Sequence, residues 1–325
     1  MHNVNKNLSF SNILSKRSTG IAMLLIVCIL GLRAPIFFTF GNLMTVLKQS
    51  GVLVMTALCI TTILIPGGFD MGAGALVQLT CNVIAGLIIA GINPAITWLI
   101  GLGIGLVFGT LNALLVVFLH IPTFVTTLGT MYLMMGTTAL YNNGDALTFK
   151  DIPLFNMWGQ GSFFGIPIIF IIVIFIAFIL NWIFKFTRFG LRMYASGENH
   201  KAAELHGINV KRYLFIGYLL SGALLGFTGV LQCSYNYGAS AVDYGMDFLI
   251  RALASAYLGS TFSRTSELSI YGSVISGIFI SALSNVMIMN KFSNQIVSGV
   301  LGFVLILSIL LTVIKKREIG QITIF

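Results

Sequence analysis

The chain has 325 residues, 57% of them hydrophobic and only 8% charged, with a mean hydropathy of +0.97. A soluble domain carries roughly a quarter charged residues, so this composition excludes an ordinary soluble fold and indicates an integral membrane protein. The apolar runs lack the sustained alternation of a membrane barrel strand, and several are long enough for a helix across ~30 Å of hydrocarbon. The net charge of +9 would point to nucleic acid in a soluble protein. In a membrane chain the basic residues are sorted by side first, and no nucleic-acid partner is expected.

The expected architecture is all-α and polytopic, with about ten spans in one transmembrane domain covering 1–325. The amino-terminal stretch carries Lys6, Lys16 and Arg17 ahead of a long apolar run with no convincing cleavage site, so that run is expected to be kept as the first span. Apolar segments between Gly, Pro and charged breaks lie at about 18–40, 51–66, 72–91, 95–118, 124–141, 164–184, 213–232, 245–260, 269–289 and 294–314. With the amino terminus in the cytoplasm, three Lys/Arg precede the first span, six fall in 185–212, Arg264 follows, and Lys315, Lys316 and Arg317 close the chain. Thirteen of the 18 basic residues then lie inside, the bias expected of cytoplasmic loops. Both termini are expected to be cytoplasmic, with 1–17 and 315–325 as inner segments. Cys28, Cys59, Cys81 and Cys233 lie in or beside apolar runs without CxxC spacing and are expected to be core thiols.

Between the second and third segments, IPGGFDMGAG (65–74) breaks the apolar pattern and leaves Asp70 between spans. Asp70 either lines a solute route through a broken backbone or serves as a turn acid and helix cap. In the fourth segment Gly101, Gly105 and Gly109 recur at spacing four, a helix face that lets another backbone approach closely. His120, before Ile121-Pro122, is expected to be a turn residue. The longest outer loop, 141–165, is rich in Asn, Gly and aromatics and is either a contact surface for an external partner or a solvated connection anchored by Trp158.

A faint repeat pairs Asn112 and Leu128-Gly129 with Asn285 and Leu301-Gly302, in the opposite sense expected of inverted transporter repeats. Asn112, Thr127 and Asn285, small polar groups on the fourth, fifth and ninth spans, are expected to line a route or to act as interhelical glue.

The one long polar island, RMYASGENHKAAELHGINVKRY (192–213), follows the sixth span within the inner loop 185–212. Asn199 can cap a short helix running to His206, and Gly207 can end it in a left-handed turn. Two turns of helix are marginal alone and need a docking surface. Ala202, Ala203 and Leu205 offer apolar contacts, with Glu198, Lys201 and Glu204 around them, so a protein partner is favoured over the lipid headgroups.

These residues carry a resemblance. Thr187-Arg188-Phe189-Gly190, then Tyr194-Ala195, Gly197, Asn199, Ala202-Ala203, Gly207-Ile208-Asn209-Val210, and Tyr218, Ser221-Gly222, resemble the cytoplasmic loop of ribose-type ABC importer permeases. Gly67-Gly68, Asp70 and the Ile121-Pro122 to Thr130 stretch match further segments of that family, so the similarity spans about 35–314. Departures are Met71-Gly72 after the aspartate and Leu258 to Glu267 in place of a glycine-rich loop.

The resemblance implies the membrane-spanning permease fold of a bacterial inner-membrane importer, with Glu198, Asn199, Ala202, Ala203, Glu204 and Gly207 coupling to separate ATPase subunits. It also implies a second permease copy or paralogue, an external solute-binding protein and contact with membrane lipid. The chain would bind no cofactor, ATP being used by the partner. Its sequence has no GxxxxGK[ST] phosphate loop, and no enzyme activity is expected. Branched-chain amino acid or nucleoside permeases and an ion-coupled secondary transporter are the alternatives. The second would want more intramembrane ionisable groups than Asp70, Asp247 and Arg251. His2, His120, His200 and His206 are scattered, so neither a metal site nor acid/base catalysis is indicated.

Overall fold

A computed structural model describes residues 23–240, 244–262 and 267–318, with side chains up to 313. The segment 1–17, the side chains of the tail 315–325 and residues Ser263–Ser266 of the loop after the eighth span lie outside the described residues.

The helices are α1 (Met23–Leu32), α2 (Phe40–Leu64), α3 (Ala73–Ile89), α4 (Pro94–Val117), α5 (Thr123–Asn142), α6 (Pro153–Gln160) and α7 (Ile168–Phe186). They continue with α8 (Arg188–Glu198), α9 (His200–Leu205), α10 (Val210–Asn236), α11 (Tyr244–Ser260), α12 (Ile270–Met289) and α13 (Asn294–Glu318). Six of them, α2, α4, α7, α10, α12 and α13, are long and apolar enough to cross a membrane by length and composition.

Two boundaries differ from the sequence reading. The segment expected at 18–40 is not one helix, because α1 stops at Leu32 and Pro35–Phe38 forms a 3₁₀ turn. A residue before proline is pushed out of helical geometry, which accounts for the stop at Arg33-Ala34. Conversely, α2 begins at Phe40 and not near 51, capped by Thr39, whose Oγ1 accepts from the Asn42 amide at 3.4 Å. Lys48, Gln49 and Ser50 looked like a break, yet all three tolerate helix, and Ser50 Oγ donates back to the Leu47 carbonyl at 2.8 Å.

At the centre of the bundle, α10 packs on α4, α3 and α2. The glycine face of α4 finds its partner there. A Cβ at Gly105 would overlap the Gly222 carbonyl and lie 2.9 Å from the Gly226 nitrogen, and one at Gly109 would lie 3.2 Å from the Gly222 Cα. Glycines on both helices thus bring the two backbones into contact, where dispersion takes the place of a hydrophobic driving force. By contrast α7 and α13 turn Phe175, Phe178, Trp182, Phe303, Ile306 and Leu310 outward, surface that suits lipid and not water.

The long connection before α7 is built onto the bundle. Strands β1 (Leu147–Thr148) and β4 (Gly238–Ala239) pair antiparallel, and β2 (Ser162–Phe163) with β3 (Ile166–Pro167) forms a hairpin. Helix α6 is fixed to the end of α10, where Asn156 Nδ2 donates to the Ser234 carbonyl and Ser234 Oγ to the Phe155 carbonyl, at 2.9 and 2.7 Å. Trp158 stands edge-on to Trp98 of α4, ring centres 6.1 Å apart, so it serves packing as well as any interface role. His120 sits at φ 57 in the turn from α4 to α5, as a turn residue should.

Candidate coupling surface and polar cleft

Sharp local geometry shapes the polar island. Thr187 caps α8, its Oγ1 accepting from the Gly190 amide at 3.2 Å, and a Cβ at Gly190 would overlap the Phe184 backbone. The Thr-x-x-Gly spacing therefore makes the corner between α7 and α8. Met193 is buried in a cluster with Phe184, Tyr213 and Ile65. Tyr194 donates its hydroxyl to the Leu268 carbonyl at 2.7 Å, pinning α8 to the entry of α12. Burial raises the Tyr194 pKa, and the charges of Glu267 and Glu198 add to the shift, so the phenol remains a donor at physiological pH.

Helix α9 has the ends its sequence specifies. Asn199 Oδ1 accepts from the Ala202 amide at 3.0 Å, Gly207 takes φ +76, and the Ile208 amide returns to the Ala203 carbonyl at 3.0 Å. Glu198, Asn199, Ala202, Glu204 and Gly207 are exposed, and Leu205 is 88% exposed. Ala203 requires a correction: at 4% exposure it packs into the chain itself, so it anchors the helix and is not open to a partner. A six-residue helix must bury one side to persist, and Ala203 is on that side.

The island rests directly on the broken segment that follows α2. A Cβ at Gly197 would overlap the Ile65 carbonyl oxygen and lie 2.9 Å from the Gly67 nitrogen. Gly67 adopts φ +88, and a Cβ there would meet His200 Nε2 at 2.8 Å. From this seam the segment is tied to two helices: Tyr218 of α10 donates to the Phe69 carbonyl at 2.9 Å, and the Met71 amide donates to Thr127 Oγ1 of α5 at 3.1 Å.

Asp70 is buried at 4% exposure, and its Oδ1 accepts from the Gly72 amide at 2.8 Å, just ahead of α3. That is the turn-acid geometry, and it sits beside the seam and beside Thr127. Asn112 is also buried, and its Oδ1 accepts from Thr130 Oγ1 at 2.9 Å, which makes it a bridge between α4 and α5. The structure thus gathers Asp70 and Thr127 at the island end, while Asn112 joins two helices.

Asn285 lies elsewhere. It accepts from Asn42 Nδ2 at 3.2 Å and lines a cleft of about 240 Å³ among α2, α10, α11 and α12. Gln49, Gln232, Arg251, Ser281 and Ser284 supply the rest of its polar wall, and Tyr235 and Phe248 contribute rings. Arg251 Nη2 is paired with Asp247 Oδ2 at 2.7 Å, and Ser298 Oγ donates to Asp247 Oδ1 at 2.8 Å. Among the cleft's polar groups, sequence reasoning singled out Asn285 as a route residue and noted Arg251 only as an ionisable group within the spans. Ser281, Ser284 and Asn285 stand at i, i+3 and i+4, a polar helix face that was readable in the sequence. The two Asn-based pairs of the proposed repeat also differ, since Asn112 bonds to α5 but Asn285 bonds to α2, not α13. Among the described residues, no three His, Cys, Asp or Glu side chains are grouped to hold a metal ion.

Residues 42–310 match the family described as branched-chain amino acid transport system / permease component. The ribose import permease protein of Bacillus subtilis is 30% identical over 308 residues, which cover 94% of this chain and 95% of that protein. The D-allose transport system permease protein of Escherichia coli is 29% identical over 282 residues, 86% of each chain. The ribose import permease protein of the same organism is 28% identical over 276 residues, 84% of this chain and 85% of that one. No solved structure matches the chain.

Proposed function

The chain belongs to the permease-component family of branched-chain amino acid transport systems, and from that premise we propose that it is the membrane subunit of an ABC-type importer for a sugar or sugar-like solute. It is a multi-pass inner-membrane protein, and in this reading it makes about ten crossings with both termini in the cytoplasm. It pairs with a second permease chain, two ATPase subunits that use the ATP, and an external solute-binding protein. Ribose and allose, named in the relatives, favour a sugar over the amino acids in the family description.

One observation carries the mechanism: the backbone contact between Gly197 and Ile65. It joins the exposed helix α9, through α8, to a segment bonded to α5 and α10. A push delivered to α9 by a moving partner therefore reaches two long helices through rigid contacts, and alternating access needs no chemistry in this chain. Asp70 fixes the turn through which that push passes, and Glu198 and Glu204 orient the partner by charge.

Leu205 tests the docking reading, because it is exposed and touches little of its own chain. Leu205→Asp is expected to reduce co-purification of the ATPase by about tenfold or more, the equivalent of ~1.4 kcal/mol of lost contact, with thermal stability unchanged. Undiminished ATPase recovery with the variant would place the partner elsewhere.

A further inference from the structure

The polar cleft lies at the opposite end of the bundle from the island. Along α2, Gln49 is at the cleft and Leu64 at the seam, fifteen residues or roughly 22 Å away at 1.5 Å per residue. Two of its wall residues, Gln232 and Ser281, are buried at 5% and 7% exposure, and among the described residues neither has a hydrogen-bond partner. Buried amides and hydroxyls are normally satisfied, so an unpaired Gln232 on a cavity wall marks a group that awaits a ligand.

From this we propose that the cleft is a solute-binding site within a single copy of the chain, taking a small uncharged polyhydroxy compound. Three properties define that class. Gln49, Gln232 and Asn285 each offer donor and acceptor atoms, the complement of a hydroxyl, which also does both. The wall carries no net charge, because Arg251 is neutralised by Asp247, whose second oxygen is taken by Ser298. Among the described residues an anionic solute finds no free cation there, and a zwitterionic amino acid finds no free pair. Finally, about 240 Å³ falls below the ~300–1,000 Å³ of drug-sized pockets, so the occupant is small. Tyr235 and Phe248 supply apolar faces against which the carbon skeleton of such a solute can rest.

The site deepens the importer reading and rests on it for the direction of travel: a cleft remote from the ATPase face is where solute released outside would first be held. Its test needs no ATPase, so the two can fail separately. The full-length chain is purified in lipid nanodiscs and equilibrated by dialysis with radiolabelled D-ribose, alongside L-leucine and inorganic phosphate. The expected result is saturable ribose binding at one site per chain, which leucine and phosphate do not displace. Gln232→Leu should weaken it by about tenfold or more with unfolding temperature unchanged. Should that variant not fold, Ser281→Cys in a Cys28→Ser background reports instead. Ribose at about five times its Kd should slow thiol modification about sixfold, and leucine should not. No ribose binding, equal displacement by leucine, unaltered binding by Gln232→Leu, or a modification rate indifferent to ribose would each overturn the site. ATP-dependent uptake, measured separately, decides the importer reading whatever the cleft does.

Discussion

Replacing Gly197 with Ala perturbs the seam between α8 and the broken segment without changing any charge or hydrogen-bonding group. The added Cβ would overlap the Ile65 carbonyl oxygen and stand 2.9 Å from the Gly67 nitrogen and 3.0 Å from the Ile65 carbon, whereas ordinary contact begins at 3.4 Å. All of these neighbours are backbone, so no side chain can rotate away and the seam must open by about 1 Å. Overpacking of this kind costs about 1–3 kcal/mol. If about 1.4 kcal/mol of that strain is relieved when α8 lifts, the ratio of lifted to docked forms rises tenfold. Reconstituted importer carrying Gly197→Ala should therefore bind its ATPase and hydrolyse ATP, yet transport about tenfold less solute per ATP. Gly103→Ala is the control, since nothing lies within 4 Å of its Cβ position. It should be neutral or stabilise α4 by up to ~1 kcal/mol. Wild-type transport per ATP from Gly197→Ala would refute the seam as the transmitting contact.

Gly105→Leu attacks the contact of α4 with α10, where even a Cβ overlaps the Gly222 carbonyl. Loss of folded chain from the membrane fraction is expected, read by size-exclusion yield. Asn112→Leu removes the interhelical acceptor of the Thr130 hydroxyl and leaves it only the Thr127 carbonyl of its own helix, and should lower thermal stability by ~0.6–2 kcal/mol while leaving solute selectivity unchanged in competition uptake. Single cysteines in 142–162 should react with an impermeant thiol reagent from outside intact cells, and those in 190–210 only after the membrane is breached. The reverse pattern would invert the topology.

What the sequence revealed were features written in consecutive residues. Asn199 and Gly207 announced the ends of α9 because capping is a matter of a few neighbouring backbone groups. Spacing alone exposed the glycine face of α4, but not its partner, since Gly222 and Gly226 lie more than a hundred residues further along the chain. Ala203 was misread as a contact because docking, not sequence, decides which side of a two-turn helix turns inward. The start of α2 was missed for a related reason: Lys48 and Gln49 looked like a loop, yet Lys48 meets Gln160 of α6, and Gln49 faces the cleft. The cleft itself was largely hidden, because its polar groups come from four helices far apart in sequence, and only α12 contributes as many as three. Polar residues scattered through apolar spans were the available sign.

The energy source tests the central claim most directly. The chain, purified with its ATPase and a second permease chain, is sealed into proteoliposomes, and uptake of D-ribose presented by the external binding protein is followed under two conditions. In the first, ATP is supplied on the ATPase side with no ion gradient; in the second, a proton or sodium gradient is imposed without ATP. Uptake with ATP alone, lost when hydrolysis is blocked, is the predicted result. Uptake driven by the gradient alone, and indifferent to ATP, would contradict the account.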